Sequence, residues 1–412
     1  MVRRSENATV KWDKPLRWRL LVTLLTTIVA ASILAQAPTS DDDARQAAIA
    51  YEQQGDAAKA QNAWEAVLKL HPQDAEAYAH LGLLEARQEH YEEAVVRYRK
   101  ALALSPEMPG LRLNLGLALF KAGKMKGAAD TLLPLTKILP AHSQEALRVT
   151  TLVGLARYGA GDYGGAVPFL KKAVAADAQN LPFRLTLAQS CLWSKQYQCV
   201  LDVYREIVTL NENSAEADML AGQALDEMKD RPGAIEQFRA AVKADPKMPD
   251  VHFGLGYLLW AQLKFDEAAK ELEAELENNP HHAQALTYLA DCHIQLNHPE
   301  PALPLLEKAV SLDPKIELAH VDLGVLYANA GKNNDALREL KAAEKLDPTD
   351  QNVHWRLGRF YKSIGKKTEA EVEFQKTRSL QKAADKSIFD KLHSAQEKHE
   401  KANAQTPPAS TN

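Results

Sequence analysis

The sequence predicts an all-α solenoid built from stacked helical hairpins. The first indication is a fixed proline spacing, and the second is a Leu-Gly pair, or a close substitute, that recurs in the same frame from Leu81-Gly82 to Leu357-Gly358. Internal repetition with a period of roughly 20 to 50 residues is typical of repeat proteins. The prolines, spaced 34 residues apart within each group, are Pro72, Pro106 and Pro140, then Pro246, Pro280, Pro314 and Pro348.

Each recurring position has a physical role. Twelve residues after the Gly comes a small residue such as Ala94, and four residues further comes a large apolar one such as Tyr98. Apolar residues at this spacing form one helix stripe that must be buried, and small residues let two antiparallel helices approach closely. A turn containing Gly, as at Gly123, ends the first helix, and the proline ends the second. One hairpin cannot bury its own apolar face, so its neighbours must complete the core.

The order Leu-Gly, Ala, large apolar residue, Ala and Pro within 34 residues resembles the tetratricopeptide repeat (TPR) family. The resemblance covers residues 41–384 and implies a right-handed superhelical solenoid of about ten helix-turn-helix repeats with a C-terminal capping helix. It also implies an extended concave surface, lined by the first helix of each repeat, that binds other proteins. The predicted repeats are 41–74, 75–108, 109–142, 147–180, 181–214, 215–248, 249–282, 283–316, 317–350 and 351–384.

The middle of the array is its least regular part. Four extra residues fall around Pro140–Ala146, ahead of a first helix that we expect to be longer than the others. Four residues are close to one helical turn, so the buried stripe keeps roughly the same phase. The next two repeats lack the terminal proline, with Ala178 and Glu212 at that position. We expect a local kink in the solenoid here.

The two ends of the chain differ from the array. Residues 1–19 form a basic n-region and residues 20–37 an apolar run, which is either the h-region of a signal peptide or a membrane anchor. Either alternative exports the repeats, so we expect a bacterial periplasmic protein that touches the membrane only through an uncleaved N-terminal segment. Residues 385–402 are expected to form a capping helix and residues 403–412 a disordered tail. The apolar stripe of the capping helix is Ile388, Phe389, Leu392 and Ala395.

Composition and motifs argue against several function classes. The net charge is −4 and there is no long basic run, which argues against nucleic acid as a partner. The array leaves no room for a separate catalytic domain, and we expect no enzyme activity, no catalytic residues and no cofactor. Gly159, Gly161 and Gly164 match a dinucleotide-binding motif, but they fall in the turn of a predicted helical hairpin.

The histidines do not predict a metal site. His281, His282, His293 and His298 accompany Cys292 in the sequence. However, His281 and His293 would lie at opposite ends of one helix, about 18 Å apart at the helical rise per residue. We therefore expect exposed or hydrogen-bonded histidines rather than ligands.

Cys191 and Cys199 lie on the two helices of one predicted repeat, on either side of its turn. A disulfide between them is geometrically feasible in an oxidising compartment. Buried packing of two small side chains is the favoured alternative. Cys292 is expected to belong to the core.

The concave surface is expected to be lined by side chains two residues before, one after and four after each Leu-Gly pair. These positions lack the Lys/Asn/Arg clamp with which chaperone-binding TPR domains hold a C-terminal carboxylate, and they carry apolar and aromatic residues instead. Such a surface fits an amphipathic helix or an extended apolar segment. We expect that three of these rings, on one helix, can be replaced with little loss of stability: Phe253, Tyr257 and Trp260. The full candidate set is Leu117, Phe120, Tyr158, Phe253, Tyr257, Trp260 and Trp355.

The function predicted from these features is that of a non-enzymatic scaffold or adaptor outside the cytoplasm, serving envelope assembly or secretion. Two alternatives stay open at this point. The chain could be the regulatory or targeting subunit of a separate enzyme, such as a glycosyltransferase or a peptidase. It could also be a structural protein that associates with itself through the groove or an array end.

Overall fold

A computed structural model describes residues 41–211 and 213–404, and within these residues the regular structure is entirely helical. The helices are α1 (Asp41–Gln54), α2 (Ala57–Leu70), α3 (Ala75–Arg87), α4 (Tyr91–Leu104), α5 (Leu111–Lys121), α6 (Met125–Leu132), α7 (Leu135–Ile138), α8 (Gln144–Gly159), α9 (Tyr163–Ala176), α10 (Leu181–Trp193), α11 (Tyr197–Leu210), α12 (Ala215–Glu227), α13 (Arg231–Ala244), α14 (Val251–Ala261), α15 (Phe265–Asn278), α16 (Ala283–Gln295), α17 (Ala302–Leu312), α18 (Glu317–Asn329), α19 (Asn333–Leu346), α20 (Gln351–Ser363) and α21 (Lys367–Ala404).

Consecutive helices pair as antiparallel hairpins, and each pair forms one repeat. Repeat 1 is α1 and α2, repeat 3 is α5 with α6 and α7, repeat 4 is α8 and α9, and repeat 10 is α20 and α21. First helices of neighbouring repeats also touch, as α10 does with α12, α14 with α16, and α18 with α20. This pattern is that of a stacked solenoid, so the predicted all-α TPR-like architecture of about ten repeats is confirmed.

In each of these hairpins a small residue on the first helix contacts a large side chain on the second helix. A Cβ atom added at Gly82 would lie 2.8 Å from the Tyr98 ring, and one added at Gly222 would lie 2.7 Å from the Phe238 ring. Both partners follow the Gly by sixteen residues, and the same spacing joins Gly116 to Leu132. Because the first helix has no side chain at this position, the second helix can lie directly against its backbone.

The turn between the two helices of a repeat uses a left-handed residue. Gly123 has φ of 73° in repeat 3, and Lys195 has φ of 60° at the corresponding turn of repeat 5. Such a residue ends the first helix and lets the chain reverse direction. Gly161 has φ of 78° in the turn of repeat 4, so the glycines of the apparent dinucleotide motif belong to a hairpin turn.

Repeats 3 and 4 contain the irregularity that the four extra residues predict. Helix α8 has 16 residues, whereas α10 and α12 have 13 each, so the expected lengthening is confirmed. The structure also contains a break in the second helix of repeat 3, which the repeat pattern does not predict. Helix α6 ends at Leu132, and Pro134 separates it from the short helix α7, because proline lacks the amide proton that a continuing helix needs.

The C-terminal helix α21 is continuous over 38 residues. The predicted capping segment 385–402 therefore extends the second helix of repeat 10 without a break, and the helix continues to Ala404, past the predicted start of the tail at 403. The side chains of the expected apolar stripe lie outside the described residues, as do residues 1–40 and 405–412. These segments hold the predicted signal or anchor and most of the predicted tail. Across residues 41–404 as described, no helix combines the length and apolar character that a membrane crossing requires.

Buried His–Glu pairs link the two helices in several C-terminal repeats. His320 Nδ1 lies 2.8 Å from Glu339 Oε2, and its Nε2 donates to the Pro314 carbonyl oxygen at 3.1 Å. The same arrangement recurs with His354 and Glu373. In repeat 8 the same two positions hold Leu286 and Leu305, which belong to the apolar core. One interhelical position is thus filled by a polar pair or by an apolar pair.

The small-to-large contact predicts opposite effects for two Gly→Ala substitutions. Gly82→Ala would push a methyl group into the buried Tyr98 ring, so it is expected to lower the free energy of unfolding by about 1–3 kcal/mol. Gly127→Ala is the matched control, since its Cβ would make ordinary contacts with Leu119 at 3.5 Å, and it is expected to gain about 0.5–1 kcal/mol. Urea unfolding followed by circular dichroism measures both. Equal stability of Gly82→Ala and the wild type would contradict the account of hairpin closure.

The His–Glu pairs predict that replacing one member of a pair lowers the free energy of unfolding more than replacing both members does. His320→Leu alone leaves Glu339 Oε2 unpaired while Oε1 keeps its bond to Arg338 Nε, and it is expected to cost about 1–3 kcal/mol. Replacing both residues by Leu copies the pair of repeat 8 and is expected to restore most of that loss. Thermal unfolding of the two variants makes the comparison. A double variant less stable than the single one would show that the two positions do not act as a pair.

Candidate functional site

The candidate site is a cavity of about 590 Å³ that opens among repeats 5 to 8. One wall is formed by the end of α10, the turn after it and the start of α11. The other wall is formed by α14 and the start of α16, and α12, which lies between the two walls in the chain, also contributes. We call this cavity the central groove. Its lining residues are Leu192, Trp193, Lys195, Tyr197, Gln223, Asp226, Glu227, Phe238, Asp250, Phe253, Gly254, Tyr257, Leu258, His282 and Gln284.

One wall of the central groove carries the Trp193 cluster, which we define as Tyr158, Tyr163 and Trp193. The Trp193 ring stacks on Tyr158 with centroids 6.0 Å apart and an interplanar angle of 8°. Tyr163 meets Trp193 edge-on at 4.5 Å, and the Tyr158 hydroxyl donates to Gln189. Trp193 nonetheless keeps 49% of its surface exposed, so a large ring is held in place with much of its surface free.

The other wall carries the Tyr257 cluster, which we define as Phe253, Tyr257, Trp260 and Tyr288. The first three share one face of α14, because they are separated by four and three residues. Tyr288 comes from α16 of the next repeat and lies 5.4 Å from Tyr257, 4.8 Å from Trp260 and 6.1 Å from Phe253, measured between ring centroids. Adjacent repeats therefore build one aromatic surface between them.

Hydrogen bonds fix the Tyr257 cluster from behind. Trp260 Nε1 donates to Asp291 Oδ2 at 2.5 Å, and Gln295 Nε2 donates to the other oxygen of Asp291 at 3.0 Å. Burial raises the pKa of Tyr288 to about 12, with Tyr257 and Asp291 adding to the shift, so the hydroxyl stays protonated at neutral pH. The cluster is thus rigid and presents rings rather than titrating groups.

The predicted site residues divide into three sets. Phe253 and Tyr257 line the central groove itself. Tyr158 and Trp260 stand behind it, under Trp193 and against Tyr288 respectively. The remaining three residues lie elsewhere along the array, namely Leu117 and Phe120 on α5 and Trp355 on α20.

Five aromatic residues of the site were not among the predicted ones, namely Tyr163, Trp193, Tyr197, Phe238 and Tyr288. Tyr288 directly precedes the Leu289-Ala290 pair and Trp193 directly follows Leu192, so each lies one residue away from a position expected to line the surface. Tyr197 lies in the first turn of the second helix α11, whereas the expected lining came only from first helices. A large aromatic residue next to a predicted lining position was thus the feature of the sequence that could have indicated Tyr288 and Trp193.

The three rings of α14 are not free surface residues. Phe253, Tyr257 and Trp260 are partly buried and pack against the core of repeats 6 to 8. This packing argues against the expectation that all three can be replaced by alanine with little loss of stability, because each would lose ring contacts and loss of Trp260 would leave Asp291 Oδ2 without its donor. Trp193 is the better residue to change, since half of its surface is already in solvent.

Cys191 and Cys199 are joined as a disulfide in the structure, with their Cα atoms 5.8 Å apart. The link ties the end of α10 to the first turn of α11, and the residues between include Trp193, Lys195 and Tyr197 of the groove wall. The sequence pattern favours two unbonded, packed cysteines at these positions, whereas the structure has them joined. Cys292 is a buried free cysteine, and burial raises the pKa of its thiol to about 12, which leaves it unreactive at neutral pH.

Two sets of side chains bring metal-ligating atoms together, within 4.8 Å of one another. In the set Asp250, Glu275 and His282, the His282 Nδ1 accepts from the Ala285 amide and its Nε2 faces Asp250, while Glu275 accepts from the Phe253 amide. The Nδ1 lone pair of His282 is therefore already used, and its Nε2 carries the proton that faces Asp250, so the imidazole has no lone pair to give to a metal. The second set is Glu344, His354 and Glu373, where Lys376 already pairs with both carboxylates.

A tetratricopeptide repeat model matches residues 45–109, 219–263, 253–315 and 321–383, and a second tetratricopeptide repeat model matches 85–149 and 157–224. The first model alone matches more than half of the chain. The molecule is a helical-repeat protein, and the chain belongs to the tetratricopeptide repeat family. Proteins of this family mediate protein–protein interaction, and their repeats are generally non-enzymatic binding modules.

Individual relatives are similar over limited stretches. Hsp70-Hsp90 organizing protein 1 from Glycine max is 24% identical over 151 residues, which are 37% of this chain and 25% of that protein. The peroxisomal targeting signal receptor from Yarrowia lipolytica is 36% identical over 73 residues, which are 18% of this chain and 12% of the receptor. The matched stretch thus spans a quarter or less of these relatives. The crystal structure of MamA is 21% identical with a TM-score of 0.38, over 42% of this chain and 94% of MamA.

The disulfide predicts a measurable link between redox state and the groove wall. In the closed-loop estimate, a bridge across a sequence separation of 8 residues contributes about 2–3 kcal/mol to the free energy of unfolding. Reductant is therefore expected to lower the urea midpoint of the wild type, and to leave that of a Cys191→Ala/Cys199→Ala variant unchanged.

Alkylation of the denatured, unreduced protein counts the thiols directly by intact mass. Modification of Cys292 alone is expected when the bridge is present, and modification of all three cysteines only after reduction. Three modified cysteines without reductant, in protein isolated from its native compartment, would contradict the bridge.

Proposed function

We propose that this chain is a non-enzymatic scaffold that works outside the cytoplasm and binds partner polypeptides in the central groove, for envelope assembly or secretion. The observation that carries the proposal is the groove itself, in which two rigid ring clusters from different repeats line one cavity of about 590 Å³. Aromatic side chains held in fixed positions are the usual anchors of protein recognition.

The size and composition of the groove fit a polypeptide segment. Aromatic side chains line it together with polar side chains that can bond to a peptide backbone, among them Gln223 and Gln284. An amphipathic helix or an extended segment would place apolar side chains on the rings and leave its polar groups to these residues and to solvent. Because the rings are fixed beforehand by stacking and hydrogen bonds, little side-chain entropy would be lost on binding.

The cellular location in this proposal comes from the N-terminal sequence. Six Lys or Arg residues precede an apolar run from Leu20 to Ala37, which is the order of an export signal or an N-terminal anchor. Protease added to cells with a permeabilised outer membrane is expected to digest the repeats, while a cytoplasmic control protein survives. Protection of the repeats until the inner membrane is lysed would contradict export.

Site-specific photo-crosslinking tests the binding function. A photoreactive residue at Gln223, within the groove, is expected to form a covalent product with a partner protein in intact cells. The same residue at Val96, which is 66% exposed on a second helix, is the control and is expected to form none.

Two tryptophan variants then locate the partner. Trp193→Ala is expected to abolish the product from Gln223, whereas Trp355→Ala, which removes an exposed Trp outside the central groove, is expected to retain it. Equal products from positions 223 and 96, or a product that survives Trp193→Ala in a folded protein, would contradict binding in the central groove.

A further inference from the structure

We infer that the segment bound in the central groove carries a lysine or arginine next to a large apolar or aromatic residue. The inference rests on the proposed function, because it specifies the chemistry of the partner that the groove binds. Its basis is the distribution of charge around the ring clusters, together with a contrast between the exposed side chains of Trp193 and Trp355.

The groove lining is rich in carboxylates. Asp226, Glu227 and Asp250 line it, and Lys195 is the one Lys or Arg among its described lining residues. A cavity lined mainly by one sign of charge raises the local concentration of ligands of the opposite sign. The charge of the lining therefore favours a cationic side chain.

The contacts of the three carboxylates leave them able to accept further hydrogen bonds. Asp226 Oδ1 lies 3.6 Å from Arg231 Nε, which is longer than a direct hydrogen bond. Glu227 accepts from the Tyr197 hydroxyl at 3.4 Å, and Asp250 Oδ1 lies 3.1 Å from a ring nitrogen of His282. Since a carboxylate has about four lone-pair sites, each can also bind an incoming ammonium or guanidinium.

Trp193 and Trp355, both exposed in the part of the chain that the structure describes, differ in what already contacts their rings. Trp355 has 39% of its surface exposed, and the guanidinium groups of Arg356 and Arg359 lie 5.1 Å and 4.9 Å from its ring centroid. Trp193 contacts two tyrosine rings and keeps 49% exposed, beside the acidic lining. The electron-rich face of an aromatic ring attracts cations, so Trp193 supplies the site that Trp355 fills with its own arginines.

These features combine into one recognition pattern. An apolar side chain of the partner would pack on the rings of the Tyr257 cluster, where Phe253 and Tyr257 reach the cavity. Its neighbouring Lys or Arg would lie between Trp193 and the carboxylates of Asp226 and Glu227. Apolar contact supplies most of the affinity, and the charge selects which apolar segments bind.

Three synthetic peptides of equal length test the inference. Each carries Trp and Leu at the same positions, with the intervening positions filled by Lys, by Gln or by Glu. Fluorescence anisotropy with the full-length protein is expected to give about tenfold tighter binding for the Lys peptide than for the Gln peptide at 50 mM NaCl. The difference is expected to shrink at 500 mM NaCl, because salt screens the attraction.

A matched pair of charge variants separates groove binding from general attraction to an acidic protein. Asp226→Asn/Glu227→Gln is expected to weaken binding of the Lys peptide about tenfold and to leave the Gln peptide unchanged. Glu236→Gln/Glu273→Gln removes the same charge from exposed positions on α13 and α15, and is expected to change neither. Equal losses in the two variants would show unspecific attraction and overturn the inference.

Other results of the peptide measurements would also overturn the inferred preference for a cationic segment. Equal binding of the Lys and Gln peptides, lost in Trp193→Ala, would overturn the charge preference while the proposed function stands. Tightest binding of the Glu peptide would overturn it and direct attention to Arg356 and Arg359.

A peptide copying residues 2–19, which contain six Lys or Arg and two Trp, serves as a fourth probe. If it binds far more tightly than the Lys peptide, the occupant is this chain's own segment and the inference of a separate partner fails.

Failure of all four peptides to bind would overturn this inference without deciding the proposed function. The photo-crosslinking from position 223 uses no assumption about the charge of the partner. A crosslinked partner together with four inert peptides would mean that the groove binds proteins but reads a different chemistry.

Discussion

The rest of the structure depends on one contact, the approach of a large side chain to the backbone of a Gly sixteen residues earlier. An added Cβ would lie 2.8 Å from the Tyr98 ring at Gly82, 2.7 Å from the Phe238 ring at Gly222 and closer still to Leu132 at Gly116. In repeat 1 an alanine, Ala48, takes the place of the Gly, and it lies in the same buried cluster as Trp64, sixteen residues later. Where this contact closes a hairpin, the first helix lies flat against the second, and its remaining faces are free to touch the first helices of adjacent repeats. The groove exists because those first helices stand side by side.

The groove in turn depends on contacts that cross from one repeat to the next. Tyr288 joins the rings of α14, and Tyr158 and Tyr163 of repeat 4 support Trp193 of repeat 5. The turn after α10 is held by the disulfide and by the left-handed conformation of Lys195. A binding surface made in this way has little freedom to adapt, so its selectivity must come from the shape and charge that the array fixes in advance.

The sequence was sufficient to predict the fold because its information is local and repeated. A helix stripe, a Gly turn and a small residue facing a large one are all defined within 34 residues, and repetition makes the pattern unmistakable. Pro134 marks a limit, because the repeat pattern predicts one continuous second helix and does not specify the break that this proline makes. The groove was only half predicted. Phe253 and Tyr257 follow from their helix face, but Trp193 and Tyr197 belong to the site because repeats 5 and 7 line the same cavity, which no spacing within a repeat specifies.

Hydrogen exchange measured by mass spectrometry is the most direct test of the central claim, that ring clusters from different repeats act as one binding surface. Amide exchange in the full-length protein would be compared free and saturated with the Lys peptide. The account predicts slower exchange at both walls, in residues 187–197 and 251–260, and no change in α20, which carries the exposed Trp355. Protection confined to α20, or to only one of the two walls, would contradict it.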